Sequence, residues 1–317
     1  VGQRHGYDGS GGGSMGIKKW WAAAVTVVAA CAAVVVTAPA APANPSGCPT
    51  LHVVAVPGTW ETSSTPEPGR GNGMLAQVTS GLPAGTRVDY VRYPATAFPW
   101  EGDVYAASRN RAVDNARDII AGTAARCPLT NFALVGYSQG ADAAGDLAAA
   151  IGTGLDVVGP HRLVAVGLLS DPRRSELDPL VGAPVAGNGA GGARAGGFGL
   201  VSPNVRTICA VGDLYCSTPP DDFVTRAAGF LAMSAGSPPE QLENYRDEAA
   251  LLYAEIMTAG GLPMLQLQIA PDANGRREAQ IRAFYESQVH QDYSNYFVDD
   301  RGTTATRWLR DWIASKG

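Results

Sequence analysis

The chain has 317 residues, 45% of them apolar and 17% charged, with a formal net charge of −5. These values exclude a largely disordered chain and allow a sizeable core in one domain with additions. Acidic and basic residues are mixed along the sequence, which excludes the basic face of a nucleic-acid binder, and the pairs Arg173-Arg174 and Arg276-Arg277 are expected as solvated surface charge.

Residues 1–14 are Gly-rich, polar and aperiodic, as in a disordered extension upstream of Met15. Residues 15–43 combine Lys18 and Lys19, a 19-residue apolar stretch from Trp20 to Ala38, and the small residues Ala41-Pro42-Ala43. That order reads as a secretory signal. The stretch is also long enough for a retained membrane anchor. Val28-Ala29-Ala30-Cys31 admits a third reading, a lipobox, against which the residues after Cys31 stay apolar. Each reading exports the chain to the outside or to the cell envelope. Without residues 1–43 the net charge becomes −7 and four cysteines remain: Cys48, Cys127, Cys209 and Cys216. An even number in an exported protein suggests two disulfides, with three pairings open. Closeness in sequence favours Cys209 with Cys216, which leaves Cys48 with Cys127.

The domain proper is expected over 44–317. Leu51–Val56 is a continuous apolar run, the pattern of a strand covered on both faces. Loop-forming residues fill 62–73, a short helix lies near 73–80, and Arg87–Tyr93 reads as the second strand. Val104–Arg126 is a long helix, Phe132–Gly136 a third strand, and Gln139–Ile151 an Ala-rich helix. Leu163–Leu169 and Val205–Val211 are the fourth and fifth strands, with a Gly/Ala-rich loop over 183–200 between them. Alternating strands and helices of this kind build a parallel sheet with helices on both sides. Helices over 221–234, 239–259 and 276–287 form an insertion, about 218–286, on that core. Thr303–Ser315 places Trp308, Leu309, Trp312 and Ile313 on one side of a last helix that docks on the core. There are no internal repeats.

Gly136-Tyr137-Ser138-Gln139-Gly140 fits the G-x-S-x-G nucleophile elbow. The serine must occupy a sharp strand-to-helix turn, and glycines two before and two after it let strand and helix approach. Gly12-Gly13-Ser14-Met15-Gly16 matches the same pattern, but only Ser138 has a buried strand before it and a helix after it. Ser138 is therefore the expected nucleophile, and the amide of Gln139 the first oxyanion donor. Its base is found by elimination. His5 lies in the tail, and His52 and His161 sit at strand starts, the wrong edge of an open parallel sheet. His290 follows all the strands. Asp213, after the fifth strand, is the expected acid, with Asp171 after the fourth as the runner-up. Asp292, Asp299 and Asp300 read as exposed turns. The second oxyanion donor belongs in the loop after the first strand, where Thr59 follows Gly58.

On these segments the chain resembles the cutinase-like serine esterases. Pro57-Gly58-Thr59-Trp60-Glu61 is similar to the family's oxyanion loop, Gly136–Gly140 to its nucleophile motif, Cys209–Cys216 to its disulfide-bracketed acid loop, and His290-Gln291-Asp292-Tyr293 to its histidine segment. Gly196-Gly197-Phe198-Gly199 and the Trp-rich last helix resemble the actinobacterial envelope branch, linked to mycolic-acid metabolism, with phospholipase and thioesterase activity. The resemblance implies a three-layer α/β/α sandwich (an α/β hydrolase) around a five-stranded parallel sheet, with neither metal nor cofactor. It implies Ser138, Asp213 and His290 as triad, Thr59 and Gln139 as oxyanion donors, and a lipid or other acyl-ester substrate at the envelope. The 77 residues from Asp213 to His290 exceed the spacing of that family. They are expected to include a mobile lid whose Phe230, Leu231, Leu251, Leu252 and Ile256 face an acyl chain, or else helices packed on the core. Envelope acyl transfer and lipid binding without turnover are the competing functions.

Overall fold

A computed structural model describes residues 45–65, 73–235 and 242–317, with the backbone alone at 242–244 and 248. The extension, signal or anchor, and Cys31 lie outside the described residues. The described residues form one compact unit.

Its centre is a sheet of β1 (Leu51–Val56), β2 (Thr86–Tyr90), β3 (Asn131–Tyr137), β4 (Leu163–Leu169) and β5 (Val205–Ile208), in the order β2-β1-β3-β4-β5. Every pairing is parallel. Every residue of β1 is buried because both of its faces are covered. Val54 and Val56 face α2 (Tyr105–Arg126) and α3 (Gln139–Gly152), packing with Ala116, Ile120, Ala144 and Leu147. Val53 and Ala55 face the other way, toward Val78 of α1 (Ala76–Thr79) and Leu309 and Ile313 of α8 (Ala305–Ala314). This is the period-two alternation of a strand. Trp308 and Trp312 lie half-buried against the same cluster, so α8 docks by the face its sequence pattern indicated. Gly167 of β4 makes room for it: a Cβ there would stand 2.3 Å from Leu309 Cδ1.

The insertion between β5 and His290 comprises α4 (Phe223–Ser234), α5 (Leu242–Thr258), α6 (Gly261–Gln268) and α7 (Pro271–Ser287). The sequence reading has one helix fewer. Gly260 and Gly261 have φ of +121° and +65° and break the path after α5. Pro271 then opens α7 at its first position, five residues before the expected start, where a fixed φ and a missing N–H cost nothing. The strands β2 and β5 end three residues before their expected limits, since chain that leaves the ladder has no fixed sequence mark.

The arginine pairs also differ from expectation. Arg173 and Arg174 are buried, at 5% and 1% exposure. Arg174 donates to the carbonyls of Cys216 (2.8 Å), Ser175 (3.1 Å) and Gly187, and Arg173 lies over the Tyr245 ring. Guanidinium N–H groups satisfied by loop carbonyls and an aromatic face can leave water. Arg276 is exposed, whereas Arg277 clamps Asp222, the residue capping α4, at 2.8 Å. The disulfides are Cys48–Cys127 and Cys209–Cys216.

Candidate active site

Ser138 follows β3 directly and precedes α3, with φ 55° and ψ −123°, a costly conformation for a residue with a Cβ. Its own amide donates to the Leu169 carbonyl at 2.9 Å, which binds the elbow to the end of β4. The flanking glycines are sterically required. A Cβ on Gly136 would lie 2.3 Å from the Gly140 carbonyl oxygen, and one on Gly140 would lie 2.0 Å from that of Val56.

Ser138 Oγ is 2.9 Å from His290 Nε2, and His290 Nδ1 is 3.0 Å from Asp213 Oδ2. The last turn of α7 sets the histidine. Gln288 takes the left-handed conformation (φ 54°) and turns the chain abruptly, and Tyr137 Oη donates to the His290 carbonyl at 2.7 Å. The imidazole lies among rings: Tyr215 at 4.5 Å between centroids, Tyr137 stacked at 5.3 Å and Phe284 at 6.3 Å. Asp213 is fully buried. Its Oδ1 accepts from the Tyr215 amide (3.0 Å), and its Oδ2 accepts from Ser170 Oγ (2.6 Å) and Tyr293 Oη (2.7 Å) besides His290. Burial pushes its pKa up, but the bonds and charge of His290, with Ser170 and Tyr293, outweigh that and hold it below the ordinary carboxylate value.

Thr59 and Ser138 line one cavity, and Gln139 is buried behind them. The Gln139 side chain donates to the Thr96 carbonyl at 2.9 Å, so it anchors the following loop while its backbone opens α3. Glu61 holds the Thr59 loop: its carboxylate accepts from the amides of Gly58 (2.8 Å) and Met74 (2.7 Å). Burial raises the Glu61 pKa, and those two bonds oppose the rise. The sequence reading includes Glu61 and Tyr293 only as members of the oxyanion-loop and histidine segments, without a role of their own, and does not include Ser170. For Ser170 the available signal was a polar residue at the inner end of an otherwise apolar strand.

The other candidates are engaged elsewhere. His52 is buried beside Asp89 (Nε2 to Oδ2 2.9 Å) at the opposite end of the sheet, and His161 is exposed. The carboxylate of Asp171 faces Arg194 at 2.5 Å. Asp292, Asp299 and Asp300 are exposed. Among the described residues no group of His, Cys, Asp and Glu could hold a metal ion.

The cavity above Ser138 measures about 390 Å³, and its walls include Met74, Phe98, Tyr137, Tyr215, Phe284 and Tyr285. None of the five insertion residues expected to face an acyl chain lines it. Phe230, Leu251 and Leu252 border a separate small recess with Arg226 and Glu255. The insertion instead reaches the cavity through Phe284, Tyr285 and Gln288, because α7 leads directly into His290.

A parallel sheet with a serine on a strained strand–helix elbow, and an acid and a histidine following in that order, is the plan of the α/β hydrolases. Within that class the chain belongs to the cutinase family, whose sequence profile matches residues 47–226. This places it among the carboxylic-ester hydrolases. It is 31% identical over 211 residues to a carboxylesterase Culp6 homolog of Corynebacterium glutamicum, covering 56% of this chain and 68% of that protein. Among solved structures it is similar to the catalytic core domain of an acetyl xylan esterase from Trichoderma reesei, with 24% identity, TM-score 0.43, and 66% and 99% of the two chains covered. It is also similar to lysin B from mycobacteriophage D29, with 22% identity, TM-score 0.46, and 84% and 98% covered.

Proposed function

We propose that this protein hydrolyses acyl esters of lipids outside the cytoplasm, with Ser138 as nucleophile, His290 as base and Asp213 as the acid that orients it. One observation carries the reading: the hydrogen-bonded chain from Ser138 Oγ through His290 to Asp213, at the floor of an apolar cavity. His290 Nε2 takes the Ser138 proton as Oγ attacks the acyl carbonyl, and the negative charge develops on the carbonyl oxygen beside the amides of Thr59 and Gln139. His290 then protonates the leaving alcohol, or thiol in a thioester. Water, deprotonated by the same imidazole, releases the acid from Ser138.

The aromatic and apolar walls suit an acyl chain, and phospholipids and acyl thioesters fall within the same chemistry. Two disulfides, together with the basic and apolar pattern of residues 15–43, support a site of action outside the cytoplasm or in the envelope. No helix among the described residues is long and apolar enough to cross a membrane. A fluorophosphonate probe should label the folded protein, and Ser138→Ala should lose both the label and the hydrolysis of p-nitrophenyl esters, a phospholipid and an acyl-CoA. Labelling that survives Ser138→Ala sinks the assignment.

A further inference from the structure

Ser170 stands at the end of β4 with φ 51°, fully buried, beside the acid and the base but outside the three-residue chain. Its Oγ is 2.6 Å from Asp213 Oδ2 and 2.9 Å from His290 Nδ1, while those two atoms are 3.0 Å apart. Hydrogen chemistry fixes the directions in this triangle. An ionised Asp213 can only accept, so the Ser170 O–H donates to it. The lone pairs of Ser170 then face Nδ1, and the Nδ1–H of His290 meets two oxygen acceptors at nearly equal distance.

We propose that Ser170 is a positioning residue that holds His290 in the tautomer with Nδ1 protonated and Nε2 open to the proton of Ser138. The inference rests on the hydrolase reading above. In the opposite tautomer the bare Nδ1 would face the Asp213 carboxylate, and a Ser170 O–H that turned to Nδ1 would leave that fully buried carboxylate with one donor fewer. Both penalties favour Nδ1–H, and the same two acceptors stay in place when Nε2 is protonated and the ring is a cation. The backbone supports the assignment independently. At φ 51° a glycine is unstrained, whereas a side chain costs energy. A serine here therefore keeps a hydroxyl at the expense of backbone ease.

Ser170→Gly removes the hydroxyl while relieving the backbone, and that relief offsets part of the lost hydrogen bond to Asp213, so the variant should fold, with a melting temperature only a few degrees below that of the parent. Its kcat on a soluble p-nitrophenyl ester should fall about ten- to a hundredfold, the loss of a hydrogen bond to a charged group, with KM within about twofold. The acid limb of its kcat/KM profile should move to lower pH, because the imidazolium loses an acceptor. The low-field proton resonance of Nδ1–H should shift upfield. An unchanged kcat, or a loss of kcat with the acid limb and the resonance unmoved, overturns the proposal. Ser138→Ala run alongside separates the two levels. Persisting hydrolysis there overturns the nucleophile assignment itself. A dead Ser138→Ala beside an unimpaired Ser170→Gly overturns the role of Ser170 alone.

Discussion

At the scale of single residues, geometry turns a short motif into strict requirements. The predicted cost at the elbow is steric: Gly140→Ala drives a Cβ into the Val56 carbonyl, backbone against backbone. Urea unfolding should show a loss of about 3 kcal/mol or more, or no folded protein, beyond ordinary overpacking. The meeting of Ser138 and His290, 2.9 Å apart in the structure, was legible in sequence because each stands out by a count: one serine between a buried strand and a helix, and one histidine after all the strands. Ser170 was not legible as a partner of His290, because that depends on where β4 ends relative to two loops: its one mark, a polar residue after the apolar Leu168-Leu169, is shared by the ends of many strands. His52 makes a separate, structural prediction. Burial is the largest influence on it and lowers its pKa below 6.5, although Asp89 opposes the shift. The unfolded chain therefore binds the proton more readily, and stability present above about pH 6.5 declines as pH falls below that value. Denaturant titrations from pH 8 to pH 5 should show the advantage of wild type over His52→Gln shrinking across that interval.

At the scale of elements, the insertion acts through its last helix. The sequence pattern could place apolar residues on α4 and α5, but which of them meet the cavity depends on how the four helices cross, and sequence periodicity carries no information about that. Phe284 of α7 is buried in contact with Tyr215 (5.5 Å between centroids) and near His290. Phe284→Ala should therefore enlarge the cavity and loosen the His290 ring together. Activity should fall by about tenfold, with preference moving toward bulkier acyl groups across a p-nitrophenyl ester series. Arg194 shows the same dependence in the Gly/Ala-rich loop before β5. Its guanidinium contacts Asp171, Asp146 (2.9 Å) and Asp142 (3.4 Å), and Gly145 of α3 leaves the space for it. Composition marked that segment as loop but could not show that one arginine anchors it to three carboxylates. Arg194→Met should cost about 3–5 kcal/mol in chemical denaturation, since it strands buried negative charge rather than removing a matched pair.

At the scale of the whole molecule, the two disulfides do different work because they close loops of different length. Cys48–Cys127 spans 79 residues and ties the entry into β1 to the end of α2, so it restricts the unfolded chain over a large part of the domain. Cys209–Cys216 spans 7 and encloses Asp213 in a loop whose carbonyl at Cys216 is held by Arg174. Chain-entropy reasoning assigns about 4.5 kcal/mol to the long bridge and less to the short one. Activity should rank them in the reverse order, because the short bridge fixes the carboxylate that accepts from His290, Ser170 and Tyr293 while the long one lies at the opposite edge of the sheet. The double variant Cys48→Ser with Cys127→Ser should thus lower the urea midpoint strongly yet keep near-parental kcat under conditions where it remains folded. The variant Cys209→Ser with Cys216→Ser should show the smaller shift in midpoint and the larger fall in kcat. If both pairs lost kcat only in proportion to their unfolded fraction, the short bridge would be a staple of the fold with no separate role in holding Asp213.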